Sequence, residues 1–200
     1  MAINGTPGDD RNPRLEGTPG DDTISGFAGD DWIEWSLGND SLDGGAGFDV
    51  VFYEGAGAVF INNTDQTIGG VAPFTVEKAS GTDTLAGIEA FHGSQADDTI
   101  YAGADTYVFD RAGDDHVFAR PDSELTFLGG SGDDSYTGGT GRDRLDFASA
   151  QNGSDGGGLG TLGADVDLAG GTATDPWGDT DTLASIEDVT GSPANDTIRG

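Results

Sequence analysis

Aspartates recur every nine residues near the N-terminus and are the residues best suited to chemistry in this chain. Asp22, Asp31, Asp40 and Asp49 each follow a glycine by two residues and precede an aliphatic residue by two. The chain contains no cysteine, so thiolate ligands and thiol nucleophiles are excluded and hard oxygen atoms remain as the available ligands. Paired carboxylates in glycine-rich turns predict a site for a hard cation.

The residue types and motifs of the chain give little indication of catalysis. The chain has only two histidines, His92 and His116, and no His-Glu-x-x-His pattern. We interpret both histidines as surface residues. A glycosidase pair would need one protonated and one ionised carboxyl group in a cleft, whereas aspartates in repeated turns are accounted for as cation ligands. We therefore expect the chain not to be an enzyme.

The charge of the chain limits its partners. Eight Lys and Arg residues stand against 37 Asp and Glu residues, which gives a net charge of −29, and 36 of 200 residues are glycine. Repulsion on this scale opposes a compact state unless cations neutralise the carboxylates, and it excludes nucleic acid and anionic membrane surfaces as partners. No apolar run is long enough for membrane insertion, and residues 1–5 show no basic or apolar region of a secretory signal.

The elements that position the aspartates follow from the nine-residue period. Four units follow one another without a gap: Gly17–Ser25, Gly26–Glu34, Trp35–Asp43 and Gly44–Phe52. A period of nine builds no apolar stripe on a helix, whereas six turn residues and three strand residues, taken twice, form an 18-residue coil. Stacked coils form a two-sided parallel solenoid, which places Asp22 over Asp40 and Asp31 over Asp49.

These units resemble the haemolysin-type calcium-binding repeats, also called repeats-in-toxin (RTX). The resemblance rests on Gly-Gly-Ala-Gly-Phe-Asp-Val-Val-Phe at 44–52, Gly-Gly-Ser-Gly-Asp-Asp-Ser-Tyr-Thr at 129–137 and Gly-Gly-Thr-Gly-Arg-Asp-Arg-Leu-Asp at 138–146. It implies an all-β fold, a right-handed parallel β-roll or β-solenoid with interrupted nonapeptide tapes, and turns that bind Ca²⁺.

A second and less regular tape follows, with aspartates at the sixth position of its units. They are Asp98, Asp115, Asp134 and Asp143, and the first three are spaced by 17 and 19 residues, so we predict that they share one edge. Thr106 and Leu125 take the sixth position on the opposite edge, which argues against calcium between them. Asp10 and Asp196, in partial units near the two ends, are further candidate ligands. The fifth-position residues Asp9, Asp21, Asp30, Asp97 and Asp114 are interpreted as solvated turn carboxylates.

The resemblance also implies which atoms would bind each ion. In the first tape it assigns the carbonyls of Gly17 and Pro19 with Asp22, facing the carbonyls of Ser36 and Gly38 with Asp40, and then Gly26, Ala28 and Asp31 facing Gly45, Gly47 and Asp49. In the second tape it assigns Gly93, Gln95 and Asp98 facing Arg111, Gly113 and Asp115, and then Asp110, Ala112 and Asp115 facing Gly130, Gly132 and Asp134. Asp115 would be shared between two ions.

The tapes alternate with segments that are not nonapeptides. We divide the chain into a first tape at 1–56, a strand-rich insert at 57–92, the second tape at 93–147, a second insert at 148–190 and the start of a third tape at 191–200. Thr82-Asp-Thr-Leu-Ala-Gly-Ile-Glu89 recurs as Thr180-Asp-Thr-Leu-Ala-Ser-Ile-Glu187, which makes each insert part of a 98-residue repeat. Strand-like runs precede both copies, at 58–63 and 164–169, and in this family such inserts resemble longer strands that continue the solenoid. The chain is interpreted as a piece of a longer repeat protein.

The predicted function is a calcium-binding module of a secreted bacterial protein, with a structural, adhesive or secretion-folding role. We expect about five calcium ions, which would reduce the net charge to about −19, and folding after export, by resemblance through type I secretion. An accessory role beside a secreted enzyme is the alternative, with polysaccharide bound on Trp32, Trp35, Tyr101 or Phe109. Open ends of the solenoid also predict self-association.

Overall fold

A computed structural model describes residues 1–148 and 159–200. These residues form β-strands, turns and irregular segments, without helix, and so the described part of the chain contains no helix long and apolar enough to span a membrane. In chain order the strands are β1 (Ala2–Asn4), β2 (Leu15–Glu16), β3 (Thr23–Ala28), β4 (Trp32–Glu34), β5 (Ser41–Ala46), β6 (Val50–Phe52), β7 (Phe60–Asn62), β8 (Thr75–Lys78), β9 (Gly81–Ala86), β10 (Ala90–His92), β11 (Thr99–Ala102), β12 (Tyr107–Phe109), β13 (His116–Ala119), β14 (Thr126–Leu128), β15 (Ser135–Thr137), β16 (Arg144–Asp146), β17 (Asp165–Asp167), β18 (Thr172–Thr174), β19 (Thr180–Ala184), β20 (Asp188–Thr190) and β21 (Thr197–Arg199).

Two sheets face each other across the core. The first sheet has the order β1-β3-β5-β9-β8-β7-β11-β13-β15-β19-β18-β17-β21, and the second has the order β2-β4-β6-β10-β12-β14-β16-β20. Within the tapes consecutive strands alternate between the sheets and pair in parallel with the strand one coil away. The register joins Thr23 to Ser41 and Trp32 to Val50, a shift of 18 residues. The predicted all-β parallel roll is confirmed.

One aliphatic side chain from each nonapeptide fills the space between the sheets. Ile24, Ile33, Leu42 and Val51 lie at the eighth position of their units, and all four are buried. The second tape uses larger side chains at the same position or its equivalent, including Tyr136 and Phe127. Because a strand of three residues points only its middle side chain inward, the core is one residue wide per strand.

Glycine is needed at the fourth position because the turns of successive coils touch. Gly47 has a φ of +145°, and a Cβ atom built there would lie 2.0 Å from the carbonyl oxygen of Gly29. A side chain at that position would therefore both strain the backbone and separate the coils. Left-handed φ values also occur at Gly29 and Gly38, but not at Gly20.

The inserts continue the first sheet, but they do so with one antiparallel strand each, where the resemblance predicted longer solenoid strands. The chain places β7 three positions beyond β5 in the sheet, returns through β8 and fills the position next to β5 with β9, so that β8 is antiparallel to both neighbours. β17, β18 and β19 repeat this arrangement. In the second sheet β10 still pairs in parallel with β6 and β12. Part of the predicted second insert, residues 149–158, lies outside the described residues.

Candidate metal centre

The turn aspartates of the first tape form two columns, one on each edge of the roll. The backbone N–H of Asp22 donates to Oδ1 of Asp40 at 2.9 Å, and the N–H of Asp31 donates to Oδ1 of Asp49 at 2.8 Å. Asp10 joins the second column, since its N–H donates to Oδ1 of Asp31 at 2.8 Å. The structure therefore brings together both predicted carboxylate pairs of this tape.

The second tape has one complete column. The N–H of Asp98 donates to Oδ1 of Asp115 at 2.7 Å, and the N–H of Asp115 donates to Oδ1 of Asp134 at 2.8 Å. All three aspartates therefore lie on one edge, although their spacings of 17 and 19 residues each differ by one from the regular 18. On the opposite edge Thr106 and Leu125 are buried and offer no carboxylate, and the column begins only at Asp143.

The remaining candidate, Asp196, stands apart from these columns. Its Oδ1 accepts a hydrogen bond from the N–H of Ala164 at 2.8 Å, and another from the hydroxyl of Ser192 at 2.7 Å. The structure therefore joins Asp196 to the second insert, and not to another of the predicted ligands.

Oδ1 of the column carboxylates accepts the hydrogen bond between coils, and the second oxygen differs from one residue to the next. Oδ2 of Asp40, Asp98, Asp134 and Asp143 accepts from Ser36, Ser94, Tyr136 and Gly139. Oδ2 of Asp31, Asp49 and Asp115 is buried and has no hydrogen-bond partner among the described residues. A buried carboxylate oxygen without a partner is unfavourable unless a cation reaches it. Hard anionic oxygens beside backbone carbonyls suit Ca²⁺, and the residues present fit that ion.

Glycine at the first position makes room for the column carboxylate in units such as those that begin at Gly26 and Gly93. A Cβ atom at Gly26 would lie 2.2 Å from Oδ2 of Asp31, and one at Gly93 would lie 2.7 Å from Oδ2 of Asp98. In these two units a side chain at the first position would thus enter the place of the carboxylate of the same unit. This explains the glycine column better than turn conformation does, because neither glycine has a positive φ.

The predicted carbonyl ligands lie in turns that stack closely. A Cβ atom at Gly130 would lie 1.8 Å from the carbonyl oxygen of Arg111, and Ala112 forms a parallel bridge with Ser131. Some of these carbonyls already accept hydrogen bonds: that of Arg111 accepts from the N–H of Ser131 at 2.9 Å, and that of Gly38 accepts from Nζ of Lys78 at 2.9 Å. The assignment of carbonyls to ions remains a prediction.

Burial changes the acidity of the columns. It raises the pKa of Asp98 to about 6, and it is the main cause that raises the pKa of Asp115 to about 9 and that of Asp134 to about 10. The charge of Asp110 is the next cause for the last two residues. The metal-free column therefore retains protons at neutral pH, and a divalent cation would displace them.

Asp110 adds a side chain that the sequence analysis did not use. Only its carbonyl was predicted as a ligand, but Asp110 stands at the first position of its unit, where Gly26 and Gly93 stand in theirs, and its side chain is buried. Carboxylate oxygens of Asp110, Asp115 and Asp134 lie within 4.8 Å of one another, and the hydroxyl of Tyr136 donates to the carboxylate of Asp110.

Four acidic residues of the inserts extend the columns, and the sequence analysis did not assign them. The N–H groups of the last turn aspartates donate to them as follows: Asp40 to Asp83 at 3.0 Å, Asp49 to Glu89 at 2.9 Å, Asp134 to Asp181 at 3.1 Å and Asp143 to Glu187 at 3.0 Å. The signal was present, because the repeated Thr-Asp-Thr-Leu-Ala-x-Ile-Glu motif contains all four residues. Each copy of the motif ends one column with its aspartate and another with its glutamate.

The fifth-position aspartates are exposed but ordered. Oδ1 of Asp30 accepts from the N–H of Phe48 at 2.9 Å, and Oδ1 of Asp114 accepts from the N–H of Asp133 at 3.0 Å. They satisfy backbone donors of the next coil, which is a structural task that the sequence analysis did not foresee.

The two histidines differ in environment. His116 is exposed, as predicted, but the ring of His92 is stacked between Phe52 and Phe109, with centroid distances of 4.4 and 4.1 Å. Burial, aided by the charge of Arg111, lowers the pKa of His92 to about 3. His92 is only half-buried and so lies at the surface, but both faces of its ring are covered by neighbouring rings.

Comparison with known families agrees with the geometry of the turns. The RTX calcium-binding nonapeptide repeat matches the chain in four copies, at residues 4–34, 36–52, 83–106 and 126–146. No curated protein matches the chain. The third matched segment begins at Asp83, the aspartate of the first insert that continues a turn column. The chain therefore belongs to the family with RTX calcium-binding nonapeptide repeats.

Proposed function

We propose that this RTX module is a calcium-dependent folding unit of a secreted bacterial protein, with a structural, adhesive or secretion-folding role and no catalysis of its own. The observation that carries the proposal is the set of buried carboxylate oxygens, Oδ2 of Asp31, Asp49 and Asp115, that have no hydrogen-bond partner in the described part of the chain. Such oxygens are unfavourable in a metal-free fold and favourable in a calcium-bound one.

Linkage explains how the ion would control folding. The unfolded chain has no preformed cage, so the free energy of calcium binding adds directly to the free energy of folding. RTX repeats are typical of secreted bacterial proteins. With extracellular affinities of about 10⁻⁴ to 10⁻³ M, the chain would stay unfolded in a calcium-poor cytosol and fold outside the cell, consistent with type I secretion.

The test is far-UV circular dichroism of chelator-treated protein during a calcium titration, with magnesium as the control. We expect a cooperative gain of β-signal with calcium and little gain with magnesium, because Mg²⁺ demands a tighter octahedral site. A β-rich spectrum that is already complete in chelator would contradict the proposal.

A second candidate function is polysaccharide binding on the outer face of the second sheet. The rings of Phe52, His92 and Phe109 stack there, and Trp32 packs against Phe52 with its ring tilted by 60°, since the positions of these residues alternate with those of core residues. Tyr107 is 43% exposed beside this stack and packs edge-to-face against Phe48 at 5.5 Å. Exposed aromatic rings are suited to stacking on the apolar faces of sugars.

Two of the four predicted sugar-binding aromatics lie elsewhere. Trp35 is partly buried against the core and donates its Nε1–H to the carbonyl of Glu54, and Tyr101 stacks with Phe60 and Phe118 in the first sheet. Affinity electrophoresis in neutral and acidic polysaccharide gels tests the candidate: Tyr107→Ala should abolish retardation, and Tyr101→Ala should leave it unchanged. Equal mobility of both variants and the parent protein would refute it.

We further propose that calcium promotes end-to-end association, because a stacked roll presents strand edges at its ends. Light scattering at saturating calcium should show an increase of mass with protein concentration. A mass that stays monomeric would remove this proposal.

A further inference from the structure

The two inserts end their turn columns in the same way and can be compared within one molecule. Oδ1 of Asp83 accepts from the N–H of Asp40 at 3.0 Å, and Oδ1 of Asp181 accepts from the N–H of Asp134 at 3.1 Å. The strand registers agree, since Ser41 pairs with Thr84 and Ser135 with Thr182. Each copy also holds a buried tyrosine hydroxyl beside these carboxylates.

The first copy contains its own cation. Lys78 is the only lysine of the chain, and its side chain is fully buried. Its ammonium group forms an ion pair with Asp83, donates to the carbonyl of Gly38 at 2.9 Å and lies 3.9 Å from Oδ2 of Asp40. The resemblance to RTX repeats implies the same kinds of ligand for calcium, namely two carboxylates from adjacent coils and carbonyls of the turns. The ammonium thus takes the place that an ion would occupy.

The second copy has no such group. The residue 98 positions after Lys78 is Pro176, and the arginines form their ion pairs with carboxylates outside this column. Residues 149–158, which the structure does not describe, contain no Lys, Arg or His. The charge of Asp134 and Asp181 is therefore not compensated by a basic side chain.

The second copy also has more carboxylates. Asp110 joins Asp134 from the first position of its unit, and Asp175 is fully buried close enough to Asp181 for the two charges to interact. Oδ2 of Asp181, Asp175 and Asp115 is buried and has no hydrogen-bond partner among the described residues. A buried group of this kind must either remain protonated or bind a cation.

We propose that a calcium ion binds at the end of the second column, between Asp134 and Asp181 with Asp110 beside them, and that Lys78 is a tethered substitute for the equivalent ion in the first insert. The inference rests on the proposed calcium-dependent folding of the module. The proposed site includes Asp181, which belongs to the second insert. At the equivalent position of the first insert, Lys78 would supply the positive charge and no calcium would be needed.

Native mass spectrometry of the calcium-saturated chain tests both parts, because each bound ion adds a fixed mass. Asp181→Asn should bind one ion fewer than the parent protein. Lys78→Met should bind one ion more, because Asp40 and Asp83 then face each other without the ammonium group. The double variant Lys78→Met, Asp83→Asn removes both charges and should bind the same number of ions as the parent.

The outcomes separate this inference from the proposed function. An unchanged ion count in Asp181→Asn would overturn the new site, and an unchanged count in folded Lys78→Met would overturn the substitute role of the lysine. If Lys78→Met does not fold even in calcium while the double variant does, the ammonium serves only to neutralise Asp83, which also overturns the substitute role. A parent protein that binds no calcium at all would instead refute the proposed function.

Discussion

Replacing Asp31 by asparagine should separate the two tasks of a column carboxylate. Asp31 is fully buried, its Oδ1 accepts from the N–H of Asp10 at 2.8 Å, and its Oδ2 has no hydrogen-bond partner within residues 1–148 and 159–200. Asparagine keeps one oxygen that can accept the hydrogen bond. Its NH₂ group takes the place of the other oxygen, and the negative charge is lost. The change should therefore weaken cation binding and leave the stacking of coils in place.

The expected magnitude depends on calcium. One occupied site stabilises the fold by about 2.7 kcal/mol when free calcium exceeds the dissociation constant a hundredfold, and Asp31→Asn should lose up to this amount at saturating calcium. In chelator the sign should reverse or the effect should vanish. Burial is the main cause that raises the pKa of Asp49, and the charge of Asp31 adds to it, so removing that charge relieves a repulsion in the metal-free fold.

Urea unfolding at saturating calcium and in chelator with an added osmolyte measures both effects. Asp30→Asn is the matched control: the carboxylate of Asp30, which precedes Asp31, is 41% exposed and forms an ion pair with Arg11, a type of contact that contributes between about 0 and 1 kcal/mol. Equal losses for Asp31→Asn with and without calcium would show that Asp31 is only a hydrogen-bond acceptor. This result would refute our interpretation of the unpartnered oxygens.

Two further predictions concern the turns and the buried acids. Gly132→Ala should destabilise the calcium-bound chain by more than about 1 kcal/mol, because φ is +134° and the new Cβ would lie 2.0 Å from the carbonyl oxygen of Gly113. Gly20 has open space around it, and Gly20→Ala should change the stability by less than about 0.5 kcal/mol. Thermal unfolding measures both changes. Acid should partly replace calcium: burial raises the pKa of Asp98 and of Asp175 to about 6, so the folded metal-free state binds protons that the unfolded state releases. Metal-free stability should then fall by about 1.4 kcal/mol per pH unit and per carboxyl group from pH 4 to 6, and circular dichroism in chelator should show more β-structure at pH 4.5 than at pH 7. A metal-free spectrum that does not change with pH would contradict this.

The repeat period made most of the fold predictable. One glycine column, one aspartate column and one aliphatic column at a spacing of nine define the turns, the strands and the core without reference to distant residues. The same spacing predicts which aspartates share an edge, such as Asp31 with Asp49 at 18 residues and Asp98 with Asp115 at 17. The position of a residue within its nine-residue unit can be read from the neighbouring sequence, and this position determines whether the residue lies in a turn, in a strand or in the core.

The inserts were less predictable because their strand order is not local. The 98-residue repeat was visible in the sequence, but only the antiparallel return through β8 and β18 carries Asp83 to Asp40 and Asp181 to Asp134. The same return carries Lys78 into the first column. Sequence alone therefore determined the roll, its family and most of its carboxylate pairs. Tertiary structure decided where each column ends and that Lys78 lies between Asp40 and Asp83, because these contacts join segments about 40 or more residues apart in a buried space, where each charge must find a partner.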